Sequence, residues 1–131
     1  MRIVRDKPFP LLDRVRKQFT IDESCTVFAY GEDLYAPADI ELPPDLLIHE
    51  AIHAVQQTSG KDEWWERYLT DEAFRLAQEV QAYRAQYQWV CMSLKDRNAR
   101  SRFLTRIAKD LSSPTYGSIC SFSDAYRLIK N

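Results

Sequence analysis

The stretch Leu46-Leu47-Ile48-His49-Glu50-Ala51-Ile52-His53-Ala54-Val55 decides how this chain is read. At its centre is the pentad His49-Glu50-Ala51-Ile52-His53, in a run with helical character. Residues four apart stack one turn apart on one helical face, so both imidazoles can reach a single metal ion. Glu50 projects roughly 100° around the axis from His49. That places it beside the ion's open position, where a carboxylate can take a proton from water. The competing reading of so short a pattern is a solvated His/Glu face.

The surroundings favour the metal. The run is apolar on nearly all sides, which predicts a buried helix. Buried histidines and a buried glutamate are costly without partners. His49 and His53 are also the only histidines in the chain. Scattered surface histidines would not be expected to fall at ligand spacing and nowhere else.

Working outward, 131 residues make one domain, 1–131, with room for a core. An apolar fraction of 45% with 28% charged residues fits an ordinary globular chain. The formal net charge of -1 gives no electrostatic case for nucleic acid or an anionic membrane. Cys25, Cys91 and Cys120 are odd in number and widely spaced, so they are expected to be reduced thiols of a cytoplasmic protein. Neither a signal peptide nor a membrane span of about 20 apolar residues is expected.

The residues before the pentad supply the β component. Residues 1 to 20 are rich in cations, with a short helix expected from Pro10 carrying Leu11, Leu12, Val15 and Phe19 inward. Its basic cluster reads as a solvated face rather than a docking patch. Thr26-Val27-Phe28-Ala29-Tyr30 and Leu34-Tyr35-Ala36, separated by Gly31-Glu32-Asp33, look like the only good strands. A hairpin there would either cover the core or offer an edge strand to an extended peptide. Pro43-Pro44-Asp45 opens the metal helix, which should run to about Gln57. Gln56 falls on the ligand face, as a site residue or as an ordinary helix-end polar group.

The residues after the pentad read as helices. A short one covers Asp62 to Tyr68, and a long one, capped by Thr70 or Asp71, reaches about Leu94. It places Glu72, Leu76, Glu79 and Tyr83 on one face, with Phe74, Ala77, Val80 and Tyr87 adding burial. Another spans Arg97 to Leu111, and a last one starts at Ser123 or Asp124.

Catalytic zinc commonly takes three protein ligands and keeps one position open. The metzincin extension needs glycine at position 56 and histidine at 59, where this chain has Gln56 and Ser59. The third ligand must therefore be a carboxylate or a thiolate. Asp71, Glu72 and Glu79 are the carboxylates on the next long helix. Glu79, mid-helix beside Val80 and Ala82, is the favoured ligand. Glu72 is second, since a first-turn acid is already explained by the helix dipole. Cys91 and Cys120 remain open.

The combination His49-Glu50-Ala51-Ile52-His53-Ala54-Val55-Gln56-Gln57, Trp64-Trp65, Tyr68-Leu69 and Glu79-Val80-Gln81-Ala82-Tyr83-Arg84 resembles small bacteriophage zincin-like proteins. It is also similar to bacterial gluzincin-like domains. Leu111-Ser112-Ser113-Pro114-Thr115-Tyr116-Gly117 shares the phage-type pattern, so the resemblance covers roughly residues 40 to 130. It implies an α+β, mostly helical minimal zincin-like domain with a small N-terminal hairpin or sheet beside the metal helix. It further implies Zn2+ on His49, His53 and Glu79, and Glu50 as catalytic base. The resemblance does not extend to the long C-terminal domain of larger metallopeptidases, so a minimal substrate cleft is expected.

The expected activity is zinc-dependent hydrolysis of peptide bonds in a peptide or protein substrate, in a bacterial or phage-infected cell. Tyr83, Tyr116 and Tyr126 are the candidates for stabilising the oxyanion, with a packed aromatic as the competing role of Tyr116. The alternatives are a zincin-like structural or interaction module without turnover and a partner-dependent regulator that cleaves a repressor. An intact Glu50 favours an enzyme, because a structural zinc site needs no base.

Overall fold

A computed structural model describes every residue, Met1–Asn131. The chain runs β1 (Arg2–Val4), α1 (Leu12–Gln18), β2 (Phe28–Tyr30), β3 (Asp33–Tyr35), α2 (Pro44–Gln56), α3 (Lys61–Thr70) and α4 (Glu72–Ser93). It ends with α5 (Arg97–Leu111), a 3-10 turn at Pro114–Tyr116 and α6 (Phe122–Lys130). This is an α+β fold dominated by helices, as expected. No helix is long and apolar enough to cross a membrane.

The sheet has three strands, not two. β3 lies in the middle, antiparallel to β2 and parallel to β1, in the order β1-β3-β2. β1 is absent from the sequence reading because it is only three residues long and sits in a cationic segment. Pairing Arg2 with Asp33 gives that segment its partner: Nε and a terminal nitrogen of Arg2 donate to the two carboxylate oxygens at 3.0 and 2.9 Å. Two other early arginines are similarly engaged, Arg14 with Glu66 and Arg16 with Asp13 and Glu23.

Helix boundaries follow capping chemistry. The Asp71 side chain accepts from the Phe74 amide to start α4, and Asp96 does the same for Asn98 at the start of α5. Ser121, through its bond from the Asp124 amide, starts α6 two residues before the earliest expected position. Pro44 sits in the first turn of α2 with Asp45 beside it.

The core falls into two clusters. One joins the sheet, α1 and α3 through Val4, Phe9, Val15, Phe19, Trp64, Trp65 and Tyr68. The other joins α4, α5 and α6 through Tyr83, Leu104, Ile107, Ala108, Leu111 and Ile129. Tyr116 packs against both. Two expectations are corrected. Ala77 is exposed, because α4 turns Arg75, Glu79, Ala82, Tyr83, Gln86 and Val90 inward instead. α2 is not buried by its apolar residues: Val55 is 71% exposed and Ala51 is exposed, while His49, Glu50, His53 and the following Gln57 are buried. Its polar face is the inner one, which requires partners inside.

Candidate metal centre

Those partners are on α3, α4 and α2 itself. The Nε2 atoms of His49 and His53 lie 3.2 Å apart. Oε1 of Glu79 lies 3.2 Å from the first and 3.3 Å from the second. A tetrahedral ion bonded at about 2.0–2.1 Å has ligand atoms about 3.3–3.4 Å apart, so the triangle has the edge length of a zinc site. All three residues are buried. Glu72 is exposed at the first residue of α4, and neither Cys91 nor Cys120 joins the group. Asp71 is the cap of α4.

Proton placement points the same way. Nδ1 of His49 faces Oε1 of Gln86 at 3.0 Å, and Nε2 of Gln86 donates to Asp45 at 2.8 Å. Since a carboxylate only accepts, the amide nitrogen of Gln86 must face Asp45 and its oxygen must face His49. Nδ1 of His53 likewise faces Oε1 of Gln56 at 2.8 Å, whose nitrogen donates to the Gln78 carbonyl at 3.1 Å. Both imidazoles therefore carry hydrogen on Nδ1 and turn Nε2 towards Glu79. In neutral rings, two bare nitrogen lone pairs and a carboxylate oxygen converge on one point, an arrangement that needs a cation. This donor set of two imidazoles and a carboxylate suits zinc.

Electrostatics show how strongly the centre demands positive charge. Burial opposes protonation of His53, but the Glu79 carboxylate outweighs it and raises the imidazole to about 9 in the metal-free protein. Burial opposes ionisation of Glu79 in turn, and the two histidines overcome it, holding the carboxyl well below the usual range. Without an ion, a proton occupies the position between them. The Tyr68 hydroxyl donates to Oε2 of Glu79 at 2.7 Å, which leaves Oε1 free for an ion.

Glu50 is the exception in this tightly bonded site. Only 6% of the residue is exposed, and its carboxylate forms no hydrogen bond with the protein but opens onto the cavities beside it. It faces a cavity of about 70 Å³ that also holds His49, His53 and Glu79 and is walled by Val15, Phe19, Val27 and Trp65. A wider cleft of about 350 Å³ reaches His49 and Glu50 past Thr26, Val27, Arg106 and Tyr116. Burial raises the Glu50 carboxyl, only partly countered by the histidines.

The three tyrosines separate. Tyr116 lines both cavities, and its hydroxyl is 2.7 Å from that of Tyr83. The Tyr83 ring packs edge-on against His49. Tyr126 is elsewhere, between α4, α5 and α6. Arg75 fixes this corner, donating to the carbonyls of Tyr68 at 2.7 Å and Tyr116 at 2.9 Å. Gly117 follows at φ +88, and a β-carbon there would crowd both Arg75 and Phe19 at 3.2 Å.

The expected open edge strand is only partly open. The Ala29 carbonyl on β2 already accepts from Nε2 of Gln57 and Nε1 of Trp65, each at 3.0 Å. Gln57 also accepts from the Gly31 amide at 2.6 Å, so it clamps the hairpin to α2. The backbone groups of Val27, one step earlier and lining the cleft, form no hydrogen bond within the chain. Gln86, Tyr68, Asp45 and Arg75 were not picked out as site residues. The available indication for Gln86 was its spacing of seven from Glu79 on the same helical face.

No family model matches the chain, and neither curated proteins nor solved structures include one detectably similar to it.

Proposed function

We propose that this chain is a zinc-dependent metallopeptidase, with His49, His53 and Glu79 holding the ion and Glu50 as general base. The observation that carries the reading is the contrast between two buried glutamates. Glu79 is bonded by three side chains, whereas Glu50 has no side-chain partner and faces the cavity. A fold does not leave a buried carboxylate unpartnered for stability's sake.

Zinc held by His49, His53 and Glu79 would supply a Lewis acid that makes water nucleophilic near neutral pH. Glu50 takes the proton from the attacking water and returns it to the leaving amine. Its raised carboxyl suits both transfers. The Tyr116 hydroxyl, relayed to Tyr83, is the donor placed to steady the developing oxyanion. Substrate backbone extends along Val27, the free step of the β2 edge. The resemblance to phage zincin-like proteins supports the same reading, and with it we propose a peptide or protein substrate and the cytoplasm of a bacterial or phage-infected cell as its setting.

The test is a peptide-library digest with zinc-loaded wild type and Glu50→Gln. Cleavage by wild type that the variant lacks, at equal zinc content, supports the reading. Equal cleavage by both removes Glu50 as base. Zinc binding with no cleavage of any peptide or protein favours the module without turnover.

A further inference from the structure

Arg2, Arg14, Arg16 and Arg67 are each paired with a carboxylate. At the other end of the molecule, α4, α5 and α6 enclose a cavity of about 430 Å³ lined by Tyr87, Arg97, Arg100, Ser101, Tyr126 and Lys130. It shares no residue with the two cavities of the metal centre. No aspartate or glutamate lines it. Arg97, Arg100 and Lys130 form no ion pair.

A second observation singles out Arg100. One of its terminal nitrogens donates to the Lys95 carbonyl at 3.1 Å. Its Nε is shut off from solvent with no hydrogen-bond partner, the only buried side-chain nitrogen or oxygen in the molecule so placed. With Nε closed off, the terminal nitrogens are the part of Arg100 that can meet a ligand in the cavity. Three cations around one cavity also repel each other unless an anion joins them.

We propose that this cavity binds a phosphate ester, its phosphoryl group between Arg97, Arg100 and Lys130 and its organic part against Tyr87 and Tyr126. Three cations and the Ser101 hydroxyl exceed what one carboxylate can satisfy. They match the charge and several acceptor oxygens of a phosphoryl dianion, which guanidinium forks bind in bidentate fashion. A bare phosphate would fill only a fraction of the cavity, whose size is that of a small-ligand site. The two phenol rings offer flat surfaces for the remainder. The Lys130 ammonium lies 5.8 Å from the centre of the Tyr126 ring, so charge and aromatic surface adjoin.

The experiment is calorimetric titration of the full chain with adenosine 5′-monophosphate, inorganic phosphate and adenosine, with and without a metal chelator. The expected result is that the monophosphate binds at least tenfold tighter than either fragment. Its affinity should fall with added salt and survive chelation, which separates this site from the metal centre. Arg97→Gln and Lys130→Gln alter exposed side chains and should leave the melting temperature in place while weakening monophosphate binding about tenfold each. Absence of binding at millimolar ligand, or unchanged binding in the double variant, overturns the proposal. So does adenosine binding as well as its monophosphate. Inorganic phosphate binding as tightly as the monophosphate overturns the ester and leaves a simple anion site.

Discussion

Gln86 accepts the Nδ1 proton of His49 at 3.0 Å, and it can do so only because Asp45 takes the other end of its amide. One neutral side chain on α4 thus decides which nitrogen of a histidine on α2 is free. Gln86→Leu is expected to weaken zinc affinity about 10–100-fold, the usual cost of losing such a supporting bond. Competition with a chromophoric chelator measures it. An unchanged affinity would mean that His49 needs no orienting partner.

Glu79 and Glu72 are two turns apart on α4, one buried at the centre and one exposed. Glu79→Ala should abolish stoichiometric zinc, and Glu72→Ala should retain about one ion per chain. Elemental analysis of the two purified variants distinguishes them. Zinc retained by Glu79→Ala and lost by Glu72→Ala would reverse the ligand assignment.

Glu50→Gln should keep zinc, lose hydrolysis and melt higher than wild type. An unpartnered buried carboxylate is a cost to the fold, and a neutral amide of the same shape relieves it. A gain on the order of 1 kcal/mol would raise the melting temperature by about 2–8 °C in a domain of this size. A lower melting temperature would show that Glu50 has a structural partner.

Gln57 should matter for stability and not for chemistry. Its side chain bonds Gly31 and Ala29 and ties the hairpin to α2. Gln57→Leu removes both bonds, leaving the half-buried Gly31 amide without a partner and the Ala29 carbonyl with Trp65 alone, at a cost of about 1–3 kcal/mol before relaxation. Chemical denaturation should show the loss, with zinc content per folded chain unchanged. Equal stability would mean that Trp65 alone holds the Ala29 carbonyl.

Much of the site was legible in the sequence because ligand chemistry imposes spacing. His49 and His53 had to share a helical face, and Glu79 stood where a mid-helix acid among apolar residues needs a purpose. The helix of Arg97 to Leu111 was equally plain from the helical period of Phe103, Leu104, Ile107 and Leu111. β1 was not, since three residues carry no periodicity and parallel pairing with β3 depends on a segment thirty positions away. The orientation of α2 was also missed. Its apolar run suggested burial all round, while the polar residues claimed the interior through hydrogen bonds that hydrophobicity does not encode. The roles of Gln86, Tyr68 and Asp45 depend on the crossing of α2, α3 and α4, which no local pattern specifies.

On their outer side the two imidazoles are held by carboxamides, Gln56 and Gln86, and the carboxylate behind Gln86, Asp45, is one amide removed. A divalent ion bound there would therefore draw its charge compensation from Glu79 and the neighbouring Glu50 alone, with no anion on the outer side of either ring to add to it. Such a centre should favour inhibitors that bring an anion of their own, such as a hydroxamate or a thiolate, over neutral carbonyl mimics. Exchanging either glutamine for glutamate would then act as an attenuator, trading affinity for anionic drugs against tighter grip on the ion.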